Sequence, residues 1–279
     1  MAEKRQRVRP VSETEARRVA EEAREAEWRA PSFLKEIFLG NFHLDLIHPF
    51  PDPPGERREF REFYDRMRRF LVEEVDGDAI DREGKIPPPL VEALAKMGAF
   101  GMKIPKEYGG LGFTQREYGE VIKLVSGVDG NLIALLSAHQ SIGVPQPLEL
   151  FGTEEQKKKY FPRLARGAVS AFALTEADVG SDPANLSTTA ARTPQGDYVL
   201  NGEKLWCTNG TVAELFVVMA RHPDTKKISA FIVEKSWPGV EVVRRCHFMG
   251  LKAIENGVIR FTDVRVPKEN LLWAEGRGL

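Results

Sequence analysis

At Ser170 the chain changes its pattern. Up to Gly167 the apolar residues recur at intervals of three and four, whereas from Ser170 onward they gather into short runs rich in β-branched and aromatic residues. A side-chain period near 3.6 belongs to a helix face and a period of 2 to a strand, and one element cannot satisfy both. The switch therefore divides the chain into a helical unit followed by a β unit. That is an α+β order, without the strand–helix alternation that builds a parallel sheet.

Within the first unit, Phe60, Phe63, Tyr64, Met67, Phe70 and Leu71 mark one face of a helix over 57–75. A second helix is expected over 90–97, after the stop Pro87-Pro88-Pro89 and ending near Gly98. Thr114 and Glu117 form a capping box that opens a third, presenting Tyr118, Val121, Ile122 and Val125. A fourth begins at Asp129 and is apolar almost all round through Leu136, as a helix central to a bundle should be. The fifth starts on the capping box Thr153 to Gln156 and ends near Gly167. Ahead of this unit, 11–29 reads as a solvated helix with a weak apolar face at Val19, Ala20, Ala23 and Ala26. The run Pro49-Phe50-Pro51-Asp52-Pro53-Pro54 reads as an extended linker.

The second unit offers strands at 170–175, 198–200, 205–208, 215–219, 228–233 and 258–261. Asn201-Gly202 between two of these is the strongest short signal for a hairpin turn. Short strands with polar turns and no intervening helix point to an antiparallel barrel or sandwich. The expected organisation is thus a charged arm and proline-rich linker over 1–56, an all-α domain over 57–168 and a β-domain over 169–279.

Charge and composition narrow the function classes. Forty Lys and Arg stand against 41 Asp and Glu in 279 residues, so no net field favours a nucleic acid or an anionic membrane. Cys207 and Cys246 form neither a disulfide framework nor a paired metal motif, and such sparse usage suits the cytoplasm. No window approaches the roughly 20 apolar residues of a membrane-spanning helix. The N-terminal 29 residues mix acids with bases and lack the apolar core of a signal peptide.

Two constellations could carry chemistry. In Leu174-Thr175-Glu176-Ala177-Asp178-Val179-Gly180-Ser181-Asp182 a strand ends in a turn where glycine permits close backbone approach and hydroxyls can donate to a carbonyl or phosphate oxygen. The same residues also suit a capped surface turn. In Trp206-Cys207-Thr208-Asn209-Gly210 a flat indole stands beside a hydroxyl, the pairing a flavin needs for ring cover and for hydrogen bonding at its polar edge. A core tryptophan with a threonine filling the pleat is the alternative. His139 reads as a packed helix residue. The glycines of Tyr108-Gly109-Gly110-Leu111-Gly112-Phe113 lack a strand–loop–helix context for a dinucleotide and read as a loop opening the third helix.

These segments, taken in order with Phe261-Thr262-Asp263-Val264-Arg265-Val266-Pro267, resemble the acyl-CoA dehydrogenase family over 32–279. Ser32-Phe33, Phe38-Leu39-Gly40, Pro49-Phe50-Pro51 and 138–143 look most like its very-long-chain branch. The resemblance implies a helical N-terminal domain, a middle β-domain and a C-terminal helical domain, binding FAD and acyl-CoA. It implies α,β-desaturation of a medium- to very-long-chain acyl-CoA in fatty-acid metabolism, with reoxidation by an electron-transfer flavoprotein. By motif match, Phe172, Leu174 and Thr175 would lie along the flavin, and Gly180 and Ser181 by its pyrophosphate. Ser181 would also meet the pantetheine arm, Trp206 and Cys207 would border the ring, and Thr208 would bond near N5.

Two features depart from or bound the resemblance. Ala177-Asp178 stands where relatives carry Pro-Gly or a similar small pair, which puts an acid near the expected phosphate site. The segment 275–279 matches the point where the family enters its C-terminal helices, so the base carboxylate is expected beyond Leu279, and the expected assembly is a homo-oligomer or a partner chain that supplies the C-terminal domain. Glu176, Asp178 and Glu255 all fall in turn-like segments and are not expected to replace it. An acyl-CoA oxidase-like flavoenzyme and a non-catalytic binding or assembly subunit are the competing readings.

Overall fold

A computed structural model describes residues 32–50 and 55–279. The expected helix over 11–29 and part of the proline-rich linker lie outside the described residues. A short helix α1, Phe33–Phe38, comes first. The helical unit then runs through α2 (Arg58–Glu73), α3 (Gly77–Glu83), α4 (Pro88–Met97), α5 (Gln115–Ser126), α6 (Gly130–Ser137), α7 (Pro145–Phe151) and α8 (Glu154–Ala165). α2 buries the periodic face read from the sequence, Phe60, Phe63, Met67, Phe70 and Leu71. The rings of Phe60 and Phe63 meet Phe113 edge to face, with centroids 5.5 and 5.2 Å apart. Both capping boxes are formed, at Thr114/Glu117 and Thr153/Gln156.

Three helical features differ from the expectation. α4 starts at Pro88 rather than Leu90, because proline in the first helical turn has no bonded N–H to lose. α3 and α7 are single-layer segments of seven residues each, too short to show a period. After α6 the helix widens into a π turn, Ala138–Ile142, in which Ala138, His139 and Gln140 are buried.

The β unit comprises β1 (Ser170–Ala173), β2 (Thr189–Arg192), β3 (Tyr198–Cys207), β4 (Leu215–Arg221), β5 (Ile228–Glu234), β6 (Val240–Arg245), β7 (Gly257–Val266) and β8 (Leu271–Leu272). They form one sheet of order β6-β7-β3-β2-β4-β5-β8, with β1 beside β4. It is mostly antiparallel, although β1 and β2 each meet β4 in parallel. β4 is buried along its whole length. Its residues Leu215, Val217 and Met219 share a core with Tyr160, Phe161 and Leu164 of α8, while Phe216, Val218 and Ala220 share one with Tyr198, Leu200, Phe261 and Val264. The sheet therefore curls over one face and is covered by α8 on the other, which is why β4 and β5 read as unbroken apolar runs.

The hairpin expected at Asn201-Gly202 is not formed, and the two short strands predicted around it are one strand, β3. Leu200 pairs with Val264 and Gly202 with Phe261, so β7 carries an extra residue there. The Asn201 amide bonds Asp263 on both sides, receiving its N–H at 2.9 Å and donating to its carboxylate at 3.0 Å. A Cβ on Gly202 would stand 2.7 Å from Thr188 Cα. The dipeptide thus serves a bulge and a close backbone approach, the other uses of glycine in a strand.

Polar contacts join the two units. His139 is fully buried; its Nδ1 accepts the Ser170 backbone N–H at 3.1 Å, so its Nε2 donates to the Phe100 carbonyl at 3.0 Å. Asn209 donates to the Leu135 carbonyl at 3.0 Å, and Gln156 of the capping box also donates to the carbonyls of Glu269 and Leu271 at 2.7 and 2.9 Å. Burial pushes the His139 imidazole down to about 4, from 6.5, with the Phe100 carbonyl opposing. An unfolded chain therefore takes up a proton at this site between pH 6.5 and 4 while the native chain does not. The stability that the neutral ring contributes is complete above pH 6.5 and falls by roughly 3 kcal/mol across that window. Urea unfolding from pH 7 to pH 4 is expected to show this slope in the wild type and a shallower one in His139→Gln; identical slopes would refute the assignment.

Candidate functional site

The strand β1 leaves its ladder at Ala173, and the residues that follow are held by β3 instead. The Leu205 N–H donates to the Thr175 carbonyl at 2.8 Å, and Lys204 Nζ donates to the Leu174 carbonyl at 3.0 Å. The segments around Thr175 and Trp206, 31 residues apart in sequence, thereby lie side by side.

On the β3 side the ladder with β7 is also broken. Lys204 pairs with Ile259 and Cys207 with Gly257, so β3 has one residue more than its partner between them. The bulge puts Trp206 into the left-handed region, φ 55°, with its side chain 57% exposed. Cys207 beside it is turned inward. It is buried in the core between the curled parts of the sheet, and burial pushes its thiol up to about 12. Thr208 is half-buried and its hydroxyl accepts from Asn256 Nδ2 at 3.3 Å. Asn256 Oδ1 is buried and has no hydrogen-bond partner among the described residues.

Phe172 and Leu174 are half-buried and pack against the core that α8 shares with β4. Thr175 is half-buried, and Gly180 and Ser181 are exposed in the turn that follows the Glu176–Val179 bridge. Asp178 in the same turn is exposed.

Beneath the two segments lies a charged pair that the sequence reading did not single out. Lys204 is wholly buried and its Nζ lies 2.8 Å from Glu176 Oε1. That carboxylate also accepts the N–H and hydroxyl of Thr188 at 2.9 and 2.6 Å, and those of Ser187 at 2.6 and 2.5 Å. Burial pushes the Glu176 carboxyl up, but the Lys204 charge and these hydrogen bonds outweigh it and hold the group at about 2. Burial lowers the Lys204 ammonium, opposed by the Glu176 charge. The signal was present: Leu200, Gly202 and Lys204 share the inward period of β3, and a lysine at an inward position requires a buried acid.

Of the acids weighed as bases, Glu176 and Glu255 are engaged, while Asp178 lies exposed in its turn. Glu176 is saturated by five donors. Glu255 faces Arg245 at 3.4 Å and accepts from the Thr211 hydroxyl. His139 is neutral and enclosed. Among the described residues no helix is long and apolar enough to cross a membrane, and no cluster of His, Cys, Asp and Glu could hold a metal ion.

Comparison with known proteins places the chain in a family. The acyl-CoA dehydrogenase N-terminal domain matches residues 57–168 and the acyl-CoA dehydrogenase middle domain matches 171–264. A protein of Mycobacterium tuberculosis named "Probable acyl-CoA dehydrogenase FadE10" is 54% identical over 275 residues, covering 96% of this chain and 42% of that protein. The human mitochondrial very long-chain specific acyl-CoA dehydrogenase is 37% identical, covering 91% and 40%. In the solved structures, the Bacillus anthracis acyl-CoA dehydrogenase complexed with FAD superposes with a TM-score of 0.71 at 37% identity, covering 81% of this chain and 39% of that one. The chain thus spans about two fifths of the length of these relatives. It belongs to the acyl-CoA dehydrogenase family, whose N-terminal and middle domains it carries.

Proposed function

We propose that the chain forms the FAD-facing part of an acyl-CoA dehydrogenase that desaturates a medium- to very-long-chain acyl-CoA at its α,β-bond. The observation that carries this reading is the pairing of an exposed indole, Trp206, with a half-buried hydroxyl, Thr208, beside the half-buried Leu174 and Thr175. A flavin, when bound, accepts the hydride that leaves the acyl β-carbon.

The residues present fit that group. Trp206 and Leu174 offer apolar cover, and the exposed Gly180-Ser181 turn offers backbone approach and a hydroxyl to a phosphate or pantetheine. The Thr208 oxygen already accepts from Asn256, so its proton is left to donate outward. That donor would serve the flavin edge where charge grows on reduction.

Abstraction of the α-proton requires a carboxylate within hydrogen-bond reach, directly or through one water. Glu176, Glu255 and His139 are occupied as described above. Asp178 is exposed in a turn on the cofactor side, and the base is assigned to polypeptide outside these 279 residues, whether in the same longer protein or in a partner chain. Electrons would pass on to an electron-transfer flavoprotein. A binding or assembly role without turnover is favoured by one observation, the exposed apolar residues Leu34, Phe38, Phe42 and Phe50 near the N-terminus.

Visible absorption separates these readings. The chain alone is expected to hold FAD weakly, with a flavin band that palmitoyl-CoA does not bleach under anaerobic conditions, while the longer protein bleaches. Bleaching by the chain alone would mean that a base lies within it, and rapid reoxidation by oxygen would favour an oxidase. In the longer protein, Thr208→Ala is expected to slow flavin reduction about 100-fold with acyl-CoA affinity little changed. An equal loss of both would make Thr208 structural.

A further inference from the structure

Both walls of the proposed flavin site stand outside the sheet ladders. On one side the chain has left β1 after Ala173; on the other, β3 is bulged between Lys204 and Cys207. A tryptophan at φ 55° is a conformation that persists only where its surroundings fix it. Lys204 is the residue placed to do so. Its backbone is the last β3 position in register with β7 before the bulge, and its ammonium reaches the Leu174 carbonyl at 3.0 Å and Glu176 at 2.8 Å. The adjacent Leu205 N–H then closes on the Thr175 carbonyl at 2.8 Å. Glu176 in turn collects the N–H and hydroxyl of both Ser187 and Thr188, so the pair also anchors the far side of the Gly180-Ser181 turn.

We infer that Lys204 is a positioning residue for the proposed flavin site: it ties the Leu174-Thr175 wall to the bulge that presents Trp206 and Thr208, and it touches neither cofactor nor substrate itself. The inference rests on the FAD-binding reading given above. A neutral chain of the same length cannot take its place, because it offers no donor to the Leu174 carbonyl and no charge to the buried carboxylate. A cation is needed for the acid, and a lysine for the reach. The network differs from a general stabilising contact in one respect that can be measured: it holds a segment that no ladder holds.

Amide hydrogen exchange on Lys204→Met tests this directly. The variant is expected to melt about 10 °C below the wild type, since a buried carboxylate loses its partner. At a temperature well below both transitions, the Leu205 amide is expected to exchange about tenfold or more faster, while the ladder amides of Tyr198, Val199 and Leu200 keep their protection. A uniform loss along β3, or no loss at Leu205, would overturn the positioning role. Should Lys204→Met lose its cooperative melt, Lys204→Gln, a neutral donor one atom shorter, carries the same comparison with the same two outcomes. FAD titrated into the wild-type chain and followed by flavin fluorescence separates this inference from the reading beneath it. No binding by the wild type would sink the FAD reading. Binding by the wild type, weakened about tenfold in the folded variant, supports the positioning role. Equal binding by both would sink that role alone.

Discussion

Burial of β4 and β5 on both faces is the constraint from which the rest of the molecule follows. A strand with apolar side chains on alternate sides needs two covers, and a curled sheet supplies only one. The helix α8 supplies the other, so Tyr160, Phe161 and Leu164 belong to the same core as Leu215, Val217 and Ile232. The helical and β units are therefore not independent bodies joined by a tether. They share a core, and the polar contacts of His139, Asn209 and Gln156 satisfy the backbone groups which that shared core would otherwise strand. The π turn after α6 has a clear part in this arrangement. By widening one turn it brings His139 and Gln140 inward together, His139 to the first residue of β1 and Gln140 to the Ala99 carbonyl at 2.9 Å.

The candidate site arises where regular pairing ends. β1 is short because only its first four residues find β4, and the polypeptide beyond them is free of the sheet geometry that would bury it. β3 is long, but its extra residue near the C-terminal end leaves Trp206 outward while Lys204 and Cys207 remain inside. Two departures from regularity, set against each other, create an accessible edge lined by an indole, a hydroxyl and backbone. A buried ion pair beneath that edge replaces the missing ladder bonds. Such a pair contributes little to net stability when its desolvation is counted, and its better-attested use is to fix one arrangement among several.

Much of this was legible in the sequence, and the parts that were not have physical reasons. The α2 face, both capping boxes and the change of period at Ser170 depend on local chemistry, and local chemistry is what a sequence displays. Asn201-Gly202 was misread because its turn preference is real in isolation but yields to the pairing of Val199 and Leu200 with β7, a contact more than 60 residues away. β2 and β6 escaped notice because Thr189–Arg192 is too short and Val240–Arg245 too charged to show alternation. The second role of Gln156, bonding carbonyls beyond residue 268, has no local signature at all. The residues expected along a flavin, Thr175, Trp206 and Thr208, are brought to one edge, whereas Cys207 turns into the core. Lys204 could have been found by asking why a lysine occupies an inward strand position, which is a question about what must be absent from the interior as much as about what is present.

The left-handed backbone at Trp206 also limits how this surface can vary. Any side chain in that region brings its Cβ close to the following carbonyl at a cost of roughly 1–2 kcal/mol, so every residue but glycine carries the cost, and β-branched or bulky residues, tryptophan included, are the least favoured. The indole at residue 206 is therefore held against the preference of its own main chain, and glycine or asparagine there would relax the backbone while removing the exposed ring.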